Sequence, residues 1–550
     1  MTGSHRWLAA LAMLLAACAA LPVLAIITRG LAPGTGATWA HLGATVLPGY
    51  LVNTLLLVLV VSLGTSIGGT ASGWLIARRR FPGSSFLEWA LLLPLAMPSY
   101  VMAYAYTDFL QYAGPLQSAL RALFGWSRQD YFFPDVRSLG GAATMFVFAL
   151  YPYVYLLART AFIERPPALV EAARTLGLNR RQAFWRVELP LARPAIAAGT
   201  ALVLMETLAD YGTVAYFGVD TFTTGIYRAW FSLGDRAAAA QLAIALLAFV
   251  IAAVALERAS RGERRSFGGL RGRQTSRFAP VRLTGTGAWT ATVICAIPLL
   301  FGFVIPVLLL LRLLFGDTQV VLTDRFLGLA WNSFRVALLA AVLAVMLATI
   351  VTYAARLGPG PATRIGSRIL TLGYAVPGTV LAVGVLLPLG AVDNWLADSL
   401  RSETARRPGL LLTGTVFALI YAYLVRYFAV AWNAIEPGFA RITPAMDAAA
   451  RGLGAGIFGT FVRVHAPLLG RSAAVALLLV FIDVMKELPA TLVLRPFNFD
   501  TLATQAYMLA KDERLAEAAL PSLAIVAVGL VPLVTLARMA RRGSADPRKK

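Results

Sequence analysis

Residues 171–190 read EAARTLGLNRRQAFWRVELP, and residues 447–467 read DAAARGLGAGIFGTFVRVHAP. Each is an Ala-rich stretch that meets a glycine, Gly177 or Gly454, and thirteen residues later a proline, Pro190 or Pro467. That order predicts a short helix closed by glycine, a second helix, and a proline opening a longer one. The small side chains of Ala172, Ala173, Ala449 and Ala450 let such a helix seat closely in a groove, which suits a rigid contact with a partner. One copy would read as an ordinary interfacial helix pair. Two copies at matching places do not.

The match extends outward from these loops. A shift of 277 pairs Gly177 with Gly454, Pro190 with Pro467, Glu206 with Asp483, and Asp210 with Glu487. A shift of 279 pairs Asn53 with Asn332, Pro82 with Pro361, and Pro98 with Pro377. Asp220 and Asp500 pair at 280. The chain is therefore two copies of one unit, 1–258 and 286–550, joined by an Arg-, Gly- and Ser-rich segment, 259–285, read as a cytoplasmic linker.

Composition sets the class. Of 550 residues, 58% are hydrophobic and 14% charged, and the mean hydropathy is +0.71. So few charges cannot cover a soluble surface, so a soluble enzyme and a disordered chain are both excluded. Twelve runs reach the roughly 20 apolar residues that a membrane span needs. They centre on 7–28, 51–77, 87–111, 140–163, 192–216, 239–256, 288–312, 328–355, 368–390, 411–434, 470–494 and 519–537. The expected fold is all-α and integral to the membrane, with six spans per half. An even number gives both halves one orientation, a parallel repeat.

The net charge of +22 follows topology. Arg78–Arg80, Arg174–Arg186, the eight arginines of 257–282, Arg356–Arg368 and Arg541–Lys550 all fall in alternate connections. The positive-inside rule then places both termini and the linker in the cytoplasm, and no nucleic-acid partner is needed. Leu15–Cys18 looks like a lipoprotein cleavage box, but the apolar run continues through Ile27, so the first span is expected to stay uncleaved. Cys18, Cys295, His5, His41 and His465 are too scattered for a disulfide framework or a metal cluster, and no metal ligand is assigned. None of the four lysines follows a glycine, so there is no phosphate loop and ATP must be handled elsewhere.

Five ionisable residues stand inside apolar runs: Glu206 and Asp210, Asp483 and Glu487, and Lys486. Each acid pair is spaced four apart and is expected on one helix face. Charge this deep costs at least ~2.5 kcal/mol near the bilayer centre, so these residues are expected to line a translocation path and to act on a passing cation transiently. The alternative is that they brace a gate. Asp220 and Asp500 are expected to cap helices. Tyrosines 100, 104, 106, 151, 153 and 155 are expected to pack and anchor.

Here a family becomes recognisable. Glu171-Ala172-Ala173, the glycine six residues after the acid and the proline thirteen beyond it resemble the EAA loop of ABC importer permeases. The second copy departs from the pattern: Ala448 holds the acid position and Asp447 lies one residue early. The resemblance implies two fused type I, MetI-like permease domains. It implies that each loop docks on one of two copies of an ABC ATPase subunit, which binds the ATP, and that an extracytoplasmic binding protein delivers the cargo. This chain would bind no cofactor itself. ETLADYGTVAYFGVDTFTTGIYRAW (206–230), KELPATLVLRPFNFDTLATQAY (486–507) and ALYPYVYLLARTAF (149–162) are similar to ferric-iron permeases. Thiamine, phosphonate and polyamine permeases share the architecture. A gradient-driven carrier with six-plus-six repeats is the alternative from another class.

Overall fold

The computed structural model describes residues 6–164, 167–261, 280–316, 323–404 and 410–544. Most of the expected linker, 262–279, lies outside them. Among the described residues, eleven helices are long and apolar enough to cross a membrane. In hydrocarbon a backbone must satisfy itself, and a helix does so within one segment.

The first half runs through Arg6–Gly30, Leu47–Arg78, Leu139–Ile163, Leu189–Ala209 and Arg236–Arg261. The second runs through Thr286–Leu299 continuing to Gly316, then Asp324–Leu357, Gly378–Thr404, Val416–Ala440, Ala466–Met485 and Leu515–Ser544. The run expected at 87–111 is broken rather than continuous. It is the pair Ser84–Ala96 and Ser99–Phe124, bent by 91°. The break falls at Pro98, whose ring supplies no N–H and pushes Met97 into extended backbone (ψ 108°). Its repeat partner Pro377 likewise breaks 368–390, and the span proper starts at Gly378.

Helix faces divide as a membrane demands. On Leu47–Arg78, Leu55, Leu59, Leu63 and Ile67 face outward, 47–70% exposed. The opposite face is small or polar, with Thr65, Gly69, Ser72 and Gly73. A Cβ on Gly69 would stand 2.8 Å from the Tyr155 amide nitrogen, and one on Gly73 3.0 Å from that of Arg159. Only glycine lets these two helices touch at the backbone, the packing used where lipid is as apolar as leucine.

The two halves exchange their first spans. Arg6–Gly30 touches Arg236–Arg261 of its own half but lies mainly on the second, where a Cβ on Gly366 would stand 3.1 Å from the Ala12 carbonyl oxygen and one on Gly384 2.5 Å from that of Pro22. Tyr421 donates its hydroxyl to the Cys18 carbonyl. In return the first helix of the second half lies on the first half. Tyr106 donates to the Phe301 carbonyl (2.7 Å) and Thr292 to that of Pro82 (2.9 Å). Near the linker, Val281–Arg282 pairs in parallel with Arg79–Arg80. A cut at the linker therefore divides the sequence repeat but not the packing.

Candidate functional site

A cavity of about 100 Å³ lies between the halves, bounded by the far ends of the fifth spans, Leu189–Ala209 and Ala466–Met485. It has room for a handful of waters. Glu206, Asp210, Asp483, Lys486 and Glu487 all line it, so the structure gathers every path residue expected from sequence. It adds one that the sequence reading passed over, Arg426, and the cavity is also lined by Tyr153, Tyr374 and Tyr427, of which Tyr374 donates to Glu206 and Tyr427 to the Asp483 carbonyl. The signal for Arg426 was present, because an arginine inside the 411–434 run is an intramembrane charge.

The acids do not share helix faces as expected. Leu189–Ala209 ends one residue before Asp210, whose backbone is extended (ψ 138°). Asp210 instead caps the next short helix, accepting from the Thr213 amide (2.9 Å) and from the Ser99 hydroxyl (3.0 Å). Glu487 does the same past the end of Ala466–Met485, accepting from the amides of Ala490 and Thr491, both at 2.9 Å. A buried carboxylate that accepts amides satisfies the orphan donors of a helix start, and that contribution holds both breaks in place. The inner acids stay on the helices. Glu206 accepts from the Tyr374 hydroxyl (2.6 Å), and Asp483 pairs with Lys486 (2.9 Å).

One pair of repeat positions differs in a way that shapes the cavity. Ser99 closes on Asp210 in the first half. Its partner in the second half is Gly378, where a Cβ would stand 2.4 Å from Arg426 Nη1 and 3.0 Å from Glu487 Oε1. The missing side chain makes room for the guanidinium beside Glu487.

On the far side of the cavity from the loops, tyrosines close the space. Tyr104 packs on Tyr100 (ring centroids 5.8 Å) and on Tyr216 (4.7 Å), and Tyr211 packs on Tyr227 (4.7 Å) and on Tyr507 (5.8 Å). Tyr106, Tyr151 and Tyr155 anchor as expected, each donating to a backbone carbonyl. Asp220 and Asp500 are not the caps. Thr221 and Thr501 cap those helices: their amides donate to the hydroxyls of Thr224 and Thr504 (2.9 Å each), and the Thr501 hydroxyl accepts from the Thr504 amide (3.3 Å). The aspartates pair with Arg228 (2.9 Å) and Arg495 instead. Their carbonyls accept from Asn53 (2.8 Å) and Asn332 (3.2 Å), which explains why the repeat carries both asparagines.

At the opposite face the loops form two helices, Pro167–Thr175 and Pro444–Gly452. Gly177 (φ +88°) and Gly454 (φ +81°) close them in the left-handed region. The amides of Leu178 and Ala455 reach back to the carbonyls of Ala173 (3.1 Å) and Ala450 (3.0 Å). This is a Schellman closure, which a residue with a Cβ enters only under strain. Ala173 and Ala450 are buried, while Glu171, Ala172, Ala448 and Ala449 face outward. Leu176 and Leu453, at equivalent places, are 85% and 89% exposed. Pro190 and Pro467 do open their helices, each directly after a widened π turn, Phe184–Glu188 and Phe461–His465. Proline removes one i→i−4 bond, and the wider turn absorbs the loss.

The loops are tethered differently. Asp447 turns inward and accepts from Arg356 Nε (2.8 Å), with His465 Nε2 at 2.7 Å. Arg356 also donates to the carbonyls of Phe439 (3.0 Å) and Ile442 (2.7 Å). In the first half Glu188, at the position of His465, takes the Trp74 indole N–H (2.6 Å) and lies 3.7 Å from Arg78 Nε. Burial raises the Asp447 carboxyl, but the bonds from Arg356 and His465 outweigh it and hold the group below the usual carboxylate range.

Residues 69–261 match the family of binding-protein-dependent transport system inner membrane components. That match lies essentially in the first half, and the chain as a whole is an all-α membrane permease built as two fused halves. Over 97% of its length it is 26% identical to 98% of an Fe(3+)-transport system permease protein of Haemophilus influenzae. It is 24% identical, over 84% of its length, to 67% of a ferric transport system permease protein of Actinobacillus pleuropneumoniae. A sulfate transport system permease protein of Salmonella typhimurium is 31% identical over 30% of this chain and 56% of its own.

Proposed function

We propose that the chain is the translocation subunit of an ATP-driven importer for ferric iron. It would be served by two copies of an ATPase subunit on the loop face and by an extracytoplasmic binding protein on the far face, with both termini cytoplasmic. The observation that carries the class is the matched pair of loop helices, each presenting an almost fully exposed leucine beside its glycine closure. Exposed apolar side chains repeated at two equivalent places, each beside a matching closure, support two equivalent partners. Nothing in a gradient-driven carrier calls for them. The cargo rests on likeness along nearly the whole chain to an Fe(3+)-transport permease.

The mechanism is alternating access. ATP binding draws the two ATPases together and moves Pro167–Thr175 and Pro444–Gly452 with them. The halves then part at the tyrosine layer, and cargo enters the cavity past Glu206, Asp210, Asp483 and Glu487. Hydrolysis reverses the movement. The exchanged first spans keep the halves in register as they rock.

The test is radiolabelled Fe(III) uptake in cells with and without the gene, under ATP depletion or gradient collapse. Gene-dependent uptake lost on ATP depletion and kept on gradient collapse supports both class and cargo. Uptake that ignores the gene removes the iron assignment and turns the assay to thiamine, phosphonates and polyamines. Uptake that follows the gradient removes the importer reading.

A further inference from the structure

Every carboxylate of the central cavity is already engaged. Glu206 holds the Tyr374 hydroxyl, Asp210 the Ser99 hydroxyl and the Thr213 amide, Asp483 the Lys486 ammonium, and Glu487 the amides of Ala490 and Thr491. A hard cation needs several free oxygen ligands at once. Among the described residues no three His, Cys, Asp or Glu side chains gather as a metal site.

The unmet demand is of the opposite sign. Arg426 lines the cavity and is only 7% exposed, yet its Nε and Nη1 donate no hydrogen bond. The nearest carboxylate oxygen, Glu487 Oε1, stands 3.8 Å from Nη1, beyond hydrogen bonding. A buried donor without an acceptor is costly, and a guanidinium is a rigid fork of donors matched to carboxylate and phosphate oxygens. Gly378 leaves room for that fork, since a Cβ there would stand 2.4 Å from Arg426 Nη1. The helix caps Ser138 and Thr415 align the fourth spans at the same shift of 277, which puts Ala149 opposite Arg426 in the repeat. The guanidinium is thus on one wall only.

We propose that Arg426 is the cargo contact of this cavity and takes an anionic oxygen ligand travelling with the metal. Iron then crosses as a carboxylate or phosphate chelate, not as a bare trivalent cation. The metal half of this proposal rests on the ferric reading above, and the anion half rests on the cavity alone. A single guanidinium also suits a site that must release what it binds, which four converged carboxylates would not.

The test uses the full purified chain with Cys18→Ala and Cys295→Ala, carrying Ala149→Cys as a probe on the cavity wall. The rate of alkylation by N-ethylmaleimide is followed with citrate, inorganic phosphate, ferric citrate, or lanthanum chloride as an unchelated trivalent cation. Citrate, phosphate and ferric citrate are expected to slow alkylation at least five-fold, and lanthanum is not. Arg426→Gln removes the protection and Arg426→Lys, which keeps the charge without the fork, retains part of it. No protection by the anions, equal protection in Arg426→Gln, or protection by lanthanum alone overturns the anion half. Iron uptake is scored separately. Its absence in the unsubstituted chain overturns the ferric reading and the metal half, while iron uptake without anion protection overturns this proposal and leaves the ferric reading standing.

Discussion

Leu176 and Leu453 stand almost fully in water, one residue before the glycines that close the loop helices. Burying such a side chain is worth ~1.5–3 kcal/mol. Leu176→Asp or Leu453→Asp is expected to weaken association with the ATPase by ten-fold or more, read by co-purification, with the thermal stability of the permease unchanged. Gly177 tests the neighbouring position by conformation. A Cβ there meets nothing within 4 Å, so any effect of substitution comes from the left-handed backbone alone. Gly177→Val is expected to strain the closure and uncouple ATP hydrolysis from transport, whereas Gly177→Asn, which tolerates that region, keeps most coupling. Equal activity in both variants would remove the closure from the coupling path. These glycines and prolines were legible in the sequence because their backbone chemistry is local. The engagement of the acids was not. Glu206 finds its partner 168 residues away in Tyr374, and no spacing rule reaches that far.

The two loop helices match in sequence and differ in anchorage. Asp447 ties the second to Arg356 and His465, while the clamp of the first half closes on Glu188 and Trp74. Removing a charged hydrogen-bond partner costs ~1.5–3 kcal/mol, and 1.4 kcal/mol is a factor of ten. Asp447→Asn should therefore speed amide exchange in Pro444–Gly452 by ten-fold or more and leave Pro167–Thr175 unchanged. The pH dependence has a definite sign. The folded carboxyl is depressed, so the clamp's contribution is complete above the unfolded value of about 4 and is lost as pH falls through the lower folded value. Thermal unfolding between pH 7 and 5 should show no loss attributable to this group. At this scale the sequence showed the spans but not their breaks. Apolar runs continue through Asp210 and Glu487, and only a cap that lies inside the run, visible once the next turn is built, ends the helix there.

The whole molecule is held together by exchange. Six-plus-six topology was readable from the repeat, and the eleven candidate spans with one bent pair agree with it. The crossing of the first spans was not readable, because which half a helix packs on is decided by close contacts with residues far away in sequence, Gly366 and Gly384 for the first span of the first half and Phe148 and Pro94 for that of the second. A Cβ on Gly366 lies 3.6 Å from that of Ala12, within the range a disulfide bridges. Ala12→Cys with Gly366→Cys, in a chain lacking Cys18 and Cys295, is expected to form a bond that keeps the halves together after proteolysis at 262–279. Fragments that separate under non-reducing conditions would contradict the exchange. The central claim is that the charged cavity is the path and that ATP binding opens its tyrosine-closed side. The most direct test places the single probe Ala149→Cys in proteoliposomes with the ATPase and applies a membrane-impermeant thiol reagent from the far face. The account predicts negligible labelling at rest and at least ten-fold faster labelling with ATP bound and hydrolysis blocked. Labelling that is the same in both states would contradict it.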